Sequence, residues 1–264
     1  MFRGVFTTAE DPGRLAVRAA AAVKLAGPKA LVCAETSLAL FGCDLPDPAA
    51  NETVHVWLPD DRVGPRRSGI QVHRGRLNGR PKQIQSSDWF NSAALTDCWL
   101  QLAEKTDLHD LVVIADAMMR FQDPLVFRHD FEDALATCHR LPGLRKARQA
   151  LALARDGTDS PAETRLRLAM VEAGLPAPEI NYPVRDVSGR MVYRLDMAYP
   201  ECMVAVEYDG AVHVANATQM RRDQTRRRRL EDLGWRVITA TAPDLHDPAE
   251  LIASVRCALA PTAT

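Results

Sequence analysis

Along the second half of the chain the spacing of apolar positions switches repeatedly between the helical and the strand period. The segment from Pro161 to Glu172 has helical spacing, while "EINYPVRD" and "RMVYRLDMAY" read as strands separated by a turn at Gly189. "CMVAVEYD" is a third strand, and a long helix loaded with arginine follows it. "WRVITAT" is a strand after Gly234, and a last helix starts near Pro248. The order αβββαβα predicts an α/β sandwich built on a mixed sheet.

The first half patterns differently. "DPGRLAVRAAAAVKLAG" predicts a helix with Asp11 as N-cap, Pro12 at its first position and Gly27 as its stop. "CAETSLALFG" predicts a second, shorter helix ending at Gly42. "TVHVWLP" and "GIQVHRG" predict a pair of strands joined by the turn-rich "DDRVGPRRSG". Three more helices are expected between Ser92 and about Arg155, with a break at Gln122 to Pro124. A polar stretch with Gly157 and Pro161, "LARDGTDSPAE", marks a domain boundary. The expected organisation is a mainly helical α+β domain over 1–155 and a second domain over 156–264. The overall class is α/β, or α+β taken as a whole.

Composition narrows this only locally. With 264 residues, 47% hydrophobic and 25% charged, the chain suits two modest domains, and a net charge of −1 means that any anionic partner must be met by a local cluster. The six cysteines (Cys33, Cys43, Cys98, Cys138, Cys202, Cys257) form no CxxC pair and sit among apolar neighbours, as core residues in a reducing compartment would. No apolar run approaches the roughly 20 residues of a membrane span, and the opening residues lack the apolar centre of a signal peptide. A cytoplasmic location without a membrane partner is expected.

Candidate chemistry gathers where the third strand ends. In "MVAVEYDGAVH", Glu207 and Asp209 are one residue apart and so share a face, with Tyr208 on the other. A hairpin between "YRLDMAY" and this strand would bring Asp196 beside Glu207. Crowded carboxylates repel unless a cation sits among them, and short carboxylates suit Mg²⁺. His213, just past the Gly210 bend, can serve as general base or as hydrogen-bond donor to a phosphate. Taken singly, such residues are ordinarily solvated polar groups; their coincidence is what points to a metal site. Glu163 lies three after Ser160 in a capping box, with a second role as outer metal or water ligand left open.

On the long helix, Met220, Asp223, Arg227, Leu230 and Leu233 share the face expected against the sheet, with Arg227 one turn from Asp223 as its partner. Arg221, Arg222, Arg228 and Arg229 point elsewhere and suit phosphate, though Glu231 and Asp232 offset part of their charge. His55, His73, His109 and His129 show no ligand spacing and read as ordinary polar residues.

The segments "SPAETRLRLAMVEAGLP", "YRLDMAYPECMVAVEYDGAVH" and "RRDQTRRRRLEDLGWRVI", within about 160–260, resemble the endonuclease-like domain related to the very-short-patch mismatch repair endonuclease, in the PD-(D/E)XK nuclease superfamily. The resemblance implies a restriction-endonuclease-like mixed sheet flanked by helices and a Mg²⁺- or Mn²⁺-dependent phosphodiesterase. It implies Asp196 as central metal ligand, Glu207 and Asp209 on the neighbouring strand, His213 as accessory acid or base and Glu163 from the first helix. Asp223 matches a polar position of that pattern. Where the superfamily has a lysine two residues after the strand carboxylate, this chain has Asp209; the very-short-patch enzymes also lack that lysine and use a nearby histidine. Their aromatic wedge and zinc-binding cysteines have no counterpart here, so mismatch recognition is not implied.

The cues "RGVFTT", "CAETSLALFGCDLP", "TVHVWLP", "ALTDCWLQLAE" and "VVIADAMMR" give the first domain a fainter similarity to the antitoxin of type IV abortive-infection systems, with a remnant of that family's winged helix at 1–8. The function expected is metal-dependent DNA cleavage, with a protein partner open to the first domain. The alternative is a non-cleaving nucleic-acid-binding regulator, or antitoxin-like protein, that retains a nuclease fold.

Overall fold

The structure is a computed structural model describing residues 2, 11, 13–46, 52–59, 63–74, 82–83, 91–186, 188–210 and 217–260, with side chains at 82–83 and 217–223 outside the description. The expected winged-helix remnant at 1–8 falls almost wholly outside these residues, and so does His213. The fold is α+β, with helices and, among the described residues, two mixed sheets. The chain divides into two compact units: Met1–Met119 with Asp123–Ala154, and Arg120–Gln122 with Arg155–Thr264.

The first unit contains α1 (Leu15–Ala26), β1 (Leu31–Val32), α2 (Ala34–Leu40), β2 (Val54–Trp57), β3 (Ile70–His73), β4 (Lys82–Gln83) and β5 (Asn91–Ser92). These are followed by α3 (Leu95–Leu102), α4 (Leu108–Met118), α5 (Arg128–Thr137) and α6 (Leu144–Leu153). Its sheet runs β3-β2-β1-β5-β4. Ala19, Ala22 and Val23 of α1 pack on Val32, Val54 and Val56, the small alanines letting the helix lie close to the sheet.

Several details differ from the expectation. Helix α1 starts at Leu15, not Pro12, because Asp11 closes a turn instead of capping: its carboxylate accepts the Gly13 N–H at 2.9 Å and its carbonyl the Arg14 N–H at 3.3 Å. Strands β2 and β3, expected as a pair joined by a loop, pair in parallel, so their connection is a crossover. Four helices, not three, lie between Ser92 and Arg155. The extra break falls at Gly143, whose φ is +80° and where a Cβ would stand 2.4 Å from the Ala103 backbone. Cys202 and Cys257 are exposed, unlike the four buried cysteines. No helix among the described residues is long and apolar enough to cross a membrane.

The second unit contains α7 (Pro161–Glu172), β6 (Glu179–Arg185), β7 (Met191–Tyr199), β8 (Val204–Asp209), α8 (Ala217–Asp232), β9 (Arg236–Thr241) and α9 (Ala249–Leu259). The sheet order is β6-β7-β8-β9, with β6/β7 and β7/β8 antiparallel and β8/β9 parallel. A parallel pair needs a crossover, and α8 supplies it. Leu166 and Met170 of α7 and Leu251 and Val255 of α9 pack on Met197, Tyr199, Val204 and Val206. Leu230 of α8 and Trp235 pack with Leu195, Ala198, Ala205 and Val237 on the opposite face. Burying a side chain such as Leu230 contributes roughly 2 kcal/mol.

Two departures from regular sheet position the site. Leu195 and Ala198 pack toward α8 while Met197 and Tyr199 pack toward α7 and α9, so strict alternation is interrupted at Asp196. Strands β7 and β8 pair only from Tyr199↔Val204 to Met197↔Val206. Beyond that pair they part, β7 continuing beside β6 and β8 beside β9.

Candidate active site

Where β7 and β8 part, backbone groups lose ladder partners and side chains take them over. The Tyr208 N–H donates to Asp196 Oδ2 at 2.9 Å, and the Arg194 carbonyl accepts from Arg226 Nη2 at 2.8 Å. The same Arg226 nitrogen donates to Glu207 Oε1 at 2.6 Å. Asp196 thus stands one step beyond the Met197↔Val206 pair, beside Glu207, as the hairpin register requires.

Helix α7 delivers the next carboxylate. Ser160 caps the helix, its Oγ accepting the Glu163 N–H at 3.3 Å, and Pro161 occupies the first turn where no N–H is needed. Glu163 folds back: Oε1 accepts from Ser160 Oγ at 2.8 Å and Oε2 from the Asp159 N–H at 3.1 Å. The side chain closes the start of the helix and lies buried, 7% exposed, within the field of Asp196.

Burial and like charge act together on these groups. Burial first, then the Asp196 charge, pushes the Glu163 carboxyl up to about 7. Burial likewise pushes Glu207 up to about 7, Arg226 opposing it and Asp196 reinforcing it. Asp196 is raised by burial, with the Tyr208 N–H and Arg226 opposing. Each acid therefore holds its proton more firmly folded than unfolded. The resulting stabilisation is complete below the unfolded value near 4.5 and is lost as pH rises through about 7. In EDTA, the Tm is expected to fall between about pH 5 and about pH 8, by a few °C. Excess Mg²⁺ is expected to shrink that fall; a Tm rising over the same interval with the chelator present would contradict the coupling of these carboxyls.

The other expected site residues are placed less uniformly. Asp209 is exposed at the end of β8, opposite Thr241 of β9; the carboxylate whose charge acts on Asp196 is Asp159, just before the α7 cap, while Asp196 in turn acts on Glu163. Arg221, Arg222 and Asp223 belong to α8, but their side chains lie outside the described residues. Arg228 and Arg229 are exposed, Arg229 Nη1 donating to the Tyr193 hydroxyl at 3.4 Å.

Arg227 corrects the expected buried face of α8. It is mostly exposed and pairs with Glu231 at 3.2 Å, one turn on, while still reaching the Val237 carbonyl of β9 at 3.5 Å; Arg226 is the residue that bonds Glu207. Arg226 lies four before Leu230 and Arg227 three before it, and the acid on β8 selects the former. Arg194 was not singled out in the sequence either. It pairs with Asp159, beside the α7 cap, and lies over the Phe121 ring at 4.1 Å. The signal for Arg226 was present in the run of four arginines, since one of them must share the side of Leu230.

The chain is similar to two mycobacterial proteins. Uncharacterized protein Rv2248 of Mycobacterium tuberculosis (strain ATCC 25618 / H37Rv) and uncharacterized protein MT2308 of Mycobacterium tuberculosis (strain CDC 1551 / Oshkosh) are each 29% identical to it over 253 residues. That alignment covers 96% of this chain and 89% of either relative, so the likeness extends through both units. No family profile matches the chain, and no solved structure matches it.

The donor set suits a hard divalent cation. Asp196, Glu207 and Glu163 offer oxygen only, and burial is the first cause that raises the proton affinity of each. Among the described residues no group of three or more His, Cys, Asp or Glu side chains is gathered for one ion. Mg²⁺ sites commonly take one or two carboxylates and leave the remaining positions to water and substrate phosphate, so Asp196 and Glu207 suffice chemically.

In the first unit the structure joins residues that spacing alone left apart. His55 Nδ1 lies 2.8 Å from His73 Nε2 and 3.2 Å from Glu35 Oε2, the two rings stacking on adjacent parallel strands. Burial first lowers both imidazoles to about 4. They are neutral at physiological pH, sharing a hydrogen bond inside the sheet layer.

Proposed function

We propose that this protein is a metal-dependent DNA endonuclease of the PD-(D/E)XK type, acting in the cytoplasm on phosphodiester bonds. The observation that carries the proposal is the pair Asp196 and Glu207 at the point where β7 and β8 part, with Arg226 bonded to Glu207 and Glu163 within the field of Asp196. Asp196 and Glu207 would hold Mg²⁺ or Mn²⁺, with Glu163 behind Asp196. Such an ion, when bound, activates water and stabilises charge on the departing oxygen. Arg226 neutralises Glu207 and presents a forked donor toward a phosphate. Asp196 is held in place by the Tyr208 N–H, so its free oxygen keeps one direction. Arg228 and Arg229, exposed on α8, add sequence-independent attraction for the DNA backbone. His213 keeps its proposed part as an accessory acid or base.

A second reading has its own support. Glu207 is already ion-paired by Arg226, and the superfamily's lysine position is Asp209, so a regulator that grips nucleic acid without cutting it fits the same charges. In that case the first unit would meet a partner protein. Supercoiled plasmid incubated with the chain and Mg²⁺ is expected to become open circle, and to stay supercoiled in EDTA. Retention of plasmid without any nicking in Mg²⁺ or Mn²⁺ would favour the regulator; nicking as fast in EDTA would remove the ion from the reaction.

A further inference from the structure

The end of the β6–β7 hairpin and the last turns of α8 line an open groove of about 470 Å³. Its floor is unusual for a solvent-facing surface. Met191 is 55% exposed and Val192 38%, and Tyr193 next to them is half-buried. Its charged rim holds Arg190 and Arg229 together with Asp186 and Asp232. Asp186 is turned into its own hairpin, accepting the N–H groups of Ser188 at 2.8 Å and Arg190 at 3.1 Å. These bonds keep it ionised, so the rim carries two carboxylates and two guanidinium groups.

The groove is chained to the site by contacts. Arg229 Nη1 is 3.4 Å from the Tyr193 hydroxyl, and the Arg226 guanidinium lies 5.9 Å from the Tyr193 ring centre. Arg226 in turn holds Glu207. Arg226, Tyr193 and Arg229 thus link Glu207 to the groove, one ring between two guanidinium groups.

We propose that this groove binds an unpaired nucleotide of the strand whose phosphate reaches the carboxylates, its base against Tyr193 and Met191 and its backbone phosphate at Arg229 and Arg190. An intact duplex presents sugar and phosphate and hides its bases in the stack, so it would leave the apolar floor without a partner. An unpaired base offers the flat apolar face this floor lacks, and aromatic side chains interleaved with arginine are the usual platform for single strands. The volume lies within the range of about 300–1,000 Å³ common to small-ligand sites, enough for a nucleotide but not for a helix. The inference rests on the nuclease reading only for what happens at the carboxylates; strand binding in the groove does not require cleavage.

Fluorescence anisotropy tests it, with the full chain in EDTA so that no cleavage intervenes. The probes are a short labelled oligothymidine and a labelled duplex of equal length. Tyr193→Ala is expected to weaken single-strand binding about 10-fold or more while changing duplex binding less than about twofold. Tyr193→Phe keeps the ring and is expected to bind as the unaltered chain does. Arg229→Ala is expected to weaken the single strand and lower its salt slope by about one. Unchanged single-strand affinity in Tyr193→Ala, or an equal loss for both probes with the Tm unchanged, would overturn the proposal. Plasmid nicking separates the two ideas. A chain that nicks but binds single strands equally with or without Tyr193 loses the groove and keeps the nuclease, whereas one that never nicks but loses single strands with Tyr193→Ala keeps the groove alone.

Discussion

Replacing Asp196 by asparagine is expected to abolish Mg²⁺-dependent nicking, lowering the rate at least about 10³-fold, or roughly 4 kcal/mol of barrier. Asparagine keeps the size of the side chain and an oxygen to accept the Tyr208 N–H, so the parting of β7 and β8 is preserved. What is lost is the central negative charge between Glu163 and Glu207. Since that charge raises both neighbours, its removal is expected to lower their proton affinity and to leave the apo fold as stable as before or slightly more so above about pH 7. An inactive variant with an undiminished Tm therefore assigns the loss to chemistry. A variant that nicks at the parent rate would place the reaction elsewhere, in a contaminant or another site.

Replacing Arg226 by methionine is expected to damage both stability and activity. The change leaves Glu207, only 16% exposed, without its cation and the Arg194 carbonyl without its donor. Because the Arg226 side chain is itself 37% exposed, water can recover part of the loss, and a cost of about 1–3 kcal/mol is expected. Cleavage is expected to fall about 10²-fold, as for removal of one preorganised donor from a developing negative charge. The double replacement of Arg226 by methionine and Glu207 by glutamine separates these effects. It is expected to recover most of the stability, because no charge is stranded, and none of the cleavage. A single replacement that leaves the denaturation midpoint unchanged would show that the pair is solvated and idle.

Much of the second unit was legible because its signals are local. Ser160, Pro161 and Glu163 mark the start of α7 by capping chemistry alone, and the alternation of β7 and the apolar run of β8 fall on the strands observed. The register placing Asp196 beside Glu207 follows from a hairpin closed at Pro200 and Glu201, which the structure closes with a short turn over Pro200–Cys202. Which arginine of α8 bonds Glu207 was not legible. Arg226 and Arg227 are both near Leu230 in helical projection, and only the position of Glu207 in space decides between them.

In the first unit the missing information was likewise non-local. The pairing sense of β2 and β3 depends on a crossover rather than a turn, and the break at Gly143 depends on how closely the Ala103 backbone approaches. His55 and His73 are 18 residues apart, a spacing without meaning until the strands lie side by side.

The most direct measurement is manganese binding in solution, followed by the free-ion EPR signal, for the unaltered chain and for Asp196→Asn and Glu207→Gln. One saturable site in the unaltered chain, weakened at least about 10-fold by either replacement, is the expected result. Equal binding by all three proteins, or no saturable binding by the unaltered chain, would contradict it.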